Sequence, residues 1–216
     1  MGAGWGEAMV VRVPVRGYYN EICYFYIDEN TNHGFLIDPG SQAGRLLAMI
    51  QKKGWTIEKI LLTHGHFDHT GAVNELRRAL GVPVLAYRTA DAYLLNARMN
   101  LSEESGQPVS IRDVQYLDDG DTVKLSADPD FSLRVLYTPG HTTDSVVYYS
   151  QRDRVAFVGD TIFKGSIGIW DFPGGNPADL QRSILEKILT LPEDTVLCSG
   201  HSVPTTVGEE KRRYGL

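Results

Sequence analysis

The chain has little cysteine: Cys23 and Cys198 are the two among 216 residues. Two are too few for a disulfide framework, so a reducing, cytoplasmic setting is expected, with a single pair left open. Long apolar runs are also missing. The longest, around Ile22–Ile27, is far below the roughly 18–20 residues a bilayer span needs, so no membrane association is expected. The N-terminus lacks a signal peptide's charged start and apolar stretch, and MGAGWG lacks the Ser/Thr a myristoylation signal wants. Positive charge is short as well. Lys+Arg number 21 against 27 Asp+Glu, a net charge of −6, which excludes a non-specific nucleic-acid binder needing a basic stripe. There is no internal repeat, low-complexity tract or linker. What is there, 42% hydrophobic and 22% charged residues, is the composition of a folded globular protein. A loose leader is expected over 1–8, followed by a single domain over 9–216.

β-branched and aromatic residues predict strands at Val10–Val15, Ile22–Asp28 and Gly34–Ile37, the last stopped by Asp38-Pro39-Gly40. Ser41 is expected to cap a helix carrying Leu46, Leu47 and Ile50 and closed by Gly54. A buried strand, Ile57–Leu62, is followed by a helix from about Thr70 to Leu80, ended by Gly81, and by a strand at Val84–Tyr87. Ala90 to Ser110 reads as a helical start and then a polar loop. Strands follow at Thr122–Leu125, Leu133–Tyr137, Ser145–Tyr149 and Val155–Val158. Asn176-Pro177 opens a helix lined by Leu180, Ile184, Ile188 and Leu191. A last strand at Thr195–Cys198 and a short terminal helix at Glu209–Tyr214 complete an order that suits two β-sheets covered by helices.

The chemistry is concentrated. Three of six histidines fall within Thr63-His64-Gly65-His66-Phe67-Asp68-His69, directly after an apolar strand. Imidazole and carboxylate are the ligands divalent transition metals prefer. Gly65 is expected to let the backbone turn sharply so that His64 and His66 converge. His69, adjacent to Asp68, must point elsewhere, which suggests a second metal. His64, His66, Asp68 and His69 are thus the candidate catalytic residues. Three further ligand types follow predicted strands with a glycine beside them: His141 after Leu133–Tyr137, Asp160 after Val155–Val158, and His201 after Thr195–Cys198. Ligands in αβ architectures gather at the carboxyl ends of strands. His33, in Asn32-His33-Gly34, reads as a hairpin residue, Cys198 as a buried core thiol, and Asp38-Pro39-Gly40 as a turn supporting the site.

The THGHFDH run resembles the HxHxDH signature of the metallo-β-lactamase superfamily, and His141, Asp160 and His201 fall where its later ligands do. Further support comes from Ile37-Asp38-Pro39-Gly40, Thr138-Pro139-Gly140-His141-Thr142, Gly159-Asp160-Thr161-Ile162-Phe163, Gly165-Ser166-Ile167-Gly168, Asp171-Phe172-Pro173-Gly174-Gly175 and Thr205-Thr206-Val207-Gly208-Glu209-Glu210. The branch it resembles is the single-domain, glyoxalase II-like hydrolases. The resemblance implies an α/β fold, an αββα sandwich of two mixed β-sheets flanked by helices. It implies one metal on His64, His66 and His141, a second on Asp68, His69 and His201, and Asp160 bridging both. Two divalent ions follow, with Zn2+ the default and Fe or Mn accepted by the same donors.

The activity implied is metal-dependent hydrolysis of a small-molecule thioester of the S-2-hydroxyacylglutathione type by metal-bound hydroxide. The alternatives are a mononuclear iron enzyme like the persulfide dioxygenases, a lactone or ester hydrolase, and a non-enzymatic metal-binding protein. True zinc β-lactamases of the superfamily carry a Cys near the place of Asp160, which sets that branch aside. The sequence departs from the glyoxalase II-like pattern in substrate-facing places. Ile169-Trp170 stand where relatives put a basic residue, and the last ligand lies in Ser199-Gly200-His201-Ser202 rather than Pro-Gly-His-Gly.

Overall fold

Alternation along the strands builds three layers of core rather than one. The computed structural model of the chain describes residues 8–216. Six strands form the first sheet: β1 (Ala8–Arg16), β2 (Asn20–Asp28), β3 (His33–Ile37), β4 (Thr56–Leu61), β5 (Val84–Tyr87) and β6 (Gln115–Leu117), in that spatial order. The first three pair antiparallel and the rest parallel, so the sheet is mixed. The second sheet takes β7 (Thr122–Lys124), β8 (Ser132–Tyr137), β9 (Val146–Ser150), β10 (Val155–Gly159), β13 (Val196–Ser199) and β14 (Thr205–Thr206) in the order β14-β13-β10-β9-β8-β7. Its one parallel pairing, β10 with β13, makes it mixed too. A small ribbon, β11 (Ile162–Phe163) and β12 (Ser166–Ile167), stands apart.

Successive side chains of a strand point to opposite faces. In β2, Tyr24 and Tyr26 enter the core between the sheets, where Phe35, Phe131, Tyr148 and Phe157 meet them. Cys23, Phe25 and Ile27 face the other way, onto α1 (Ala43–Lys53) and α3 (Val73–Leu80) through Leu46, Ile50, Val73 and Leu76. In β10, Phe157 faces the middle layer, while Ala156 and Val158 face α5 (Pro177–Ser183) and its continuation through Leu180, Ile184 and Ile188. Helix, sheet, sheet, helix is therefore the layer order, as the sequence implied. Cys23 and Cys198 sit in different layers as free thiols, so the open pairing does not form.

Several local expectations are corrected. The expected leader 1–8 lies outside the described residues except Ala8, which opens β1 and pairs with Asp28. Ser41 does not cap α1. Gln42 takes the N-cap position instead, in a left-handed conformation with φ 59° and with no side-chain bond to the helix amides; its side-chain oxygen accepts from the Arg16 amide at 3.2 Å and the Arg45 guanidinium at 2.9 Å. The helix expected from Thr70 to Leu80 is two: α2 (Phe67–Thr70), then α3. The break follows from the Asp38-Pro39-Gly40 turn, whose Pro39 carbonyl takes the Ala72 amide at 3.0 Å. The segment after Ala90 holds a four-residue helix, α4 (Asp91–Leu94), and one 3-10 turn at Ser102–Ser105. Asn176 caps α5 as expected, accepting from the Ala178 and Asp179 amides. A wide π turn, Ile184–Ile188, continues that helix. The chain then closes on α6 (Val207–Tyr214), capped by Thr206.

Candidate metal centre

All seven sequence-predicted side chains meet at one end of the sandwich, where strands of both sheets terminate. β4 delivers His64 and His66, and α2 delivers Asp68 and His69. β8, β10 and β13 deliver His141, Asp160 and His201. The two sheets are hydrogen-bonded across this end. The Tyr148 hydroxyl donates to the Leu62 carbonyl at 2.9 Å, the Tyr24 hydroxyl to the Ser199 carbonyl at 2.8 Å, and the Val146 amide to the Thr63 carbonyl at 2.8 Å. The loops that carry the ligand-type residues are thus pinned at their roots.

Gly65 serves the site differently from the expectation. It is not among the positive-φ residues; a Cβ there would lie 2.5 Å from Tyr93 Cβ. Glycine is needed for close approach of α4, whose Tyr93 ring then packs edge-on against His66 at 5.8 Å.

One trio of donors is His64, His66 and His141. His66 Nδ1 and His141 Nε2 stand 3.0 Å apart. Two nitrogens on a tetrahedral ion at about 2.0–2.1 Å each would stand about 3.3 Å apart, so the pair is spaced for a shared ion. His141 Nδ1 donates to the Ile169 carbonyl at 2.6 Å, which leaves Nε2 as the free donor. Burial, and then mutual repulsion, holds His66 at about 3 and His64 well below the ordinary imidazole range. Both are neutral at physiological pH, the form that ligates metal.

The second trio is Asp68, His69 and His201. His201 Nε2 lies 3.2 Å from Asp68 Oδ2 and 3.2 Å from Asp160 Oδ2. His69 Nε2 lies 3.3 Å from Asp160 Oδ1, and His141 Nε2 is 3.7 Å from Asp160 Oδ2. Asp160 thus reaches toward both trios from between them. Burial disfavours charge on His201, but hydrogen bonds to Asp160 and Asp68 outweigh it and lift the imidazole to about 9. Burial likewise opposes charge on Asp160, and His69 and His201 overcome it, keeping the carboxyl well below its usual range.

The donor atoms fit metal ions on an observation independent of family. His64 Nε2, His69 Nε2 and Asp160 Oδ1 are buried with no hydrogen-bond partner. Buried polar atoms are rarely left so in native proteins, and three together ask for a cation or water. Zn, Fe and Mn all suit an imidazole and carboxylate set, and the donors do not choose among them.

Sequence reading understated Asp38 and missed Glu21. Asp38 Oδ2 accepts from His69 Nδ1 at 2.9 Å and from the Thr63 hydroxyl at 2.6 Å, fixing the tautomer that leaves His69 Nε2 free. Its left-handed φ of 50° turns the chain so that the carboxylate reaches these partners. Glu21 is buried 3.9 Å from His69 Nδ1 with both oxygens unpartnered, and burial raises its carboxyl well above the ordinary range. No motif marked it. His33 stands apart, its Nδ1 2.8 Å from Glu58 Oε1. Cys198 is a core thiol that burial pushes up to about 12, so it is no nucleophile.

The centre opens into a cavity of about 340 Å³ walled by His66, Asp68, His141, Asp160 and His201 on one side. Tyr19, Asn20, Leu101, Phe163, Ile169 and Phe172 form the rest. No helix among the described residues is long and apolar enough to cross a membrane.

Comparison with known proteins places this geometry. The family model of the metallo-beta-lactamase superfamily matches residues 20–201, which spans all seven side chains. The chain is 39% identical over 201 residues to the probable metallo-hydrolase YqgX of Bacillus subtilis, covering 93% of each. It is 33% identical over 203 residues to the hydroxyacylglutathione hydrolase GloC of Haemophilus influenzae, again covering 93% of each. Among solved structures it is similar to the BLEG-1 B3 metallo-beta-lactamase, with TM-score 0.88, 34% identity, and 94% and 97% of the two chains covered. It is similar also to TTHA1623 in a di-iron-bound form, with TM-score 0.83, 34% identity, and 94% and 98% covered. With the fold, the seven side chains and the family match in agreement, the chain belongs to the metallo-beta-lactamase superfamily.

Proposed function

We propose that this chain is a metal-dependent hydrolase holding two divalent ions, and that it cleaves a thioester of the S-2-hydroxyacylglutathione type. The observation that carries the reading is the pair of donor trios joined by Asp160 at the floor of an accessible cavity. A structural metal site is closed by its protein ligands, whereas this one faces space for substrate. Likeness to GloC supports the thioester, and likeness to the di-iron TTHA1623 supports the ion pair.

In this reading His64, His66 and His141 hold one ion, Asp68, His69 and His201 the other, and Asp160 both. Bound ions would lower the pKa of water towards about 7 and polarise the substrate carbonyl. The chain's own residues set the stage. Asp38 and the Ile169 carbonyl orient His69 and His141 through their second nitrogens. Phe172 packs edge-on against His66 and His141, at 5.7 and 6.2 Å, and keeps bulk water off that side. Burial opposes charge on Asp68, but His69 and His201 outweigh it and hold the carboxyl below its usual range, so Oδ2, beside the cavity, is an acceptor in place to orient a nucleophile.

Metal analysis and an activity screen on one preparation test the reading. About two ions per chain with thioester turnover is the expected result. About one iron per chain with oxygen consumption on a persulfide would replace it with the dioxygenase alternative. The likeness to BLEG-1 favours a second reading, hydrolysis of a β-lactam amide. Turnover of a chromogenic cephalosporin above that of any thioester would establish it instead.

A further inference from the structure

The cavity beside the metal-type residues carries no charged group of its own. Its six remaining wall residues are Tyr19, Asn20, Leu101, Phe163, Ile169 and Phe172, five of them apolar or aromatic and one a neutral amide. The Tyr19 hydroxyl donates to Glu104 Oε2 at 3.2 Å, outside the cavity lining, which leaves the ring of Tyr19 as its contribution to the wall. Phe163 packs edge-on to His201 at 6.1 Å, so the apolar lining continues right up to that imidazole. Ile169, half exposed at 51%, offers its side chain to a ligand while its carbonyl is occupied by His141.

Size decides which end of a thioester lies here. At about 340 Å³ the cavity is near the lower limit of small-molecule pockets, about 300–1,000 Å³. A bulky, doubly carboxylated thiol carrier such as glutathione must continue into solvent. The acyl group is the short terminal end, and it is the part that can be enclosed once the carbonyl reaches the ions.

Resting on the thioester reading, we propose that this cavity selects the acyl group for apolar bulk, taking phenyl- or alkyl-substituted acyl groups in preference to lactoyl. Each methylene transferred from water into such a wall adds about fourfold in relative kcat/KM, if it is fully buried. A lactoyl group has a methyl where a mandeloyl group has a phenyl, so the second buries far more carbon with the same 2-hydroxyl and the same carrier.

The experiment uses the metal-loaded full chain and S-acetyl-, S-lactoyl-, S-hexanoyl- and S-mandeloylglutathione. Because the carrier is constant, differences in kcat/KM, each divided by that thioester's own rate of alkaline hydrolysis, read the acyl pocket. Mandeloyl is expected to exceed lactoyl, and hexanoyl to exceed acetyl, each by at least about tenfold. Ile169→Ser keeps the backbone carbonyl on His141 and should shrink both ratios about fourfold or more. Calorimetry supplies a readout free of turnover: S-hexylglutathione, a thioether that cannot be hydrolysed, should bind at least about tenfold more tightly than S-methylglutathione. Turnover with a flat or reversed acyl series, or equal binding of the two thioethers, overturns this inference and leaves the thioester reading standing. Hydrolysis of none of the four overturns both.

Discussion

His201 is the most exposed of the seven metal-type residues, and it reaches Asp68 and Asp160 at 3.2 Å each. His201→Ala should therefore empty one trio while His64, His66 and His141 keep theirs. Bound metal should fall towards one ion per chain and hydrolysis by at least about 10²-fold, as measured by metal analysis and kinetics together. Two retained ions with normal turnover would contradict the assignment. A different residue gives a pH test. Asp144 is buried beside Gly65, and burial raises its carboxyl to about 7, above the ordinary 3.8. Between those values the folded state holds the proton and the unfolded state does not, so stability falls as pH rises through that window. Asp144→Asn cannot ionise. Its stability relative to the parent should rise by about 3 kcal/mol between pH 5 and pH 8 in denaturant titrations. A difference that does not change with pH would mean that the carboxyl is ionised in the folded state throughout. At this scale the sequence was readable where residue type is itself the signal: histidines and aspartates beside glycines after strands. Glu21 and Asp144 were not readable, because a buried carboxyl announces itself only through its surroundings.

At the scale of elements, the strands were legible because their burial is periodic. β2 and β10 show the period directly, one set of side chains to the middle layer and the next to the helices. The short pieces β6, β11, β12 and β14, two or three residues each, carry too few side chains for any period to register. The start of α1 and the split between α2 and α3 were illegible for another reason. Both are set by backbone partners far along the chain, Arg16 for Gln42 and Pro39 for Ala72. Tertiary context there overrides local capping propensity. Gly140 shows what such close packing demands. Its φ is 139°, and a Cβ would sit 2.2 Å from the backbone nitrogen of Leu180 in α5. Gly140→Ala therefore forces α5 away from the loop that presents His141. The expected loss is more than about 3 kcal/mol of stability, with weaker metal binding, since neither backbone can yield. Gly44 in α1 is the control, with nothing within 4 Å of an added Cβ. Gly44→Ala should stabilise by about 0.5–1 kcal/mol through helix propensity and leave metal content unchanged. Equal, small effects of the two substitutions would refute the packing argument.

The whole molecule is two sheets that meet at a shared edge of chemistry. Of the seven metal-type residues, His64, His66, Asp68 and His69 follow β4 of the first sheet, and His141, Asp160 and His201 follow strands of the second. Ions held by both groups would cross-link the halves of the sandwich, beyond the three pins made by Tyr148, Tyr24 and Val146. Without ions, buried donors such as His69 Nε2 and Asp160 Oδ1 remain unpartnered. Anything that binds the native state and not the unfolded chain stabilises it, by about 2.7 kcal/mol when its concentration is a hundredfold above Kd. For a chain of this size, each kcal/mol moves Tm by about 2–4 °C. Chelation should thus lower Tm by roughly 5–10 °C per tightly held ion, and added Zn2+ or Mn2+ should restore it. His201→Ala should lose about half of that shift, because one trio is gone and the other intact. Helices α1 and α5 should keep their circular dichroism in the chelated protein below its lowered Tm, since their cores lie on the outer faces of the sheets. A Tm that ignores chelator and metal alike would mean that the sandwich is complete without ions. The donor cluster would then be a buried polar group at the fold's end rather than the clasp between its sheets.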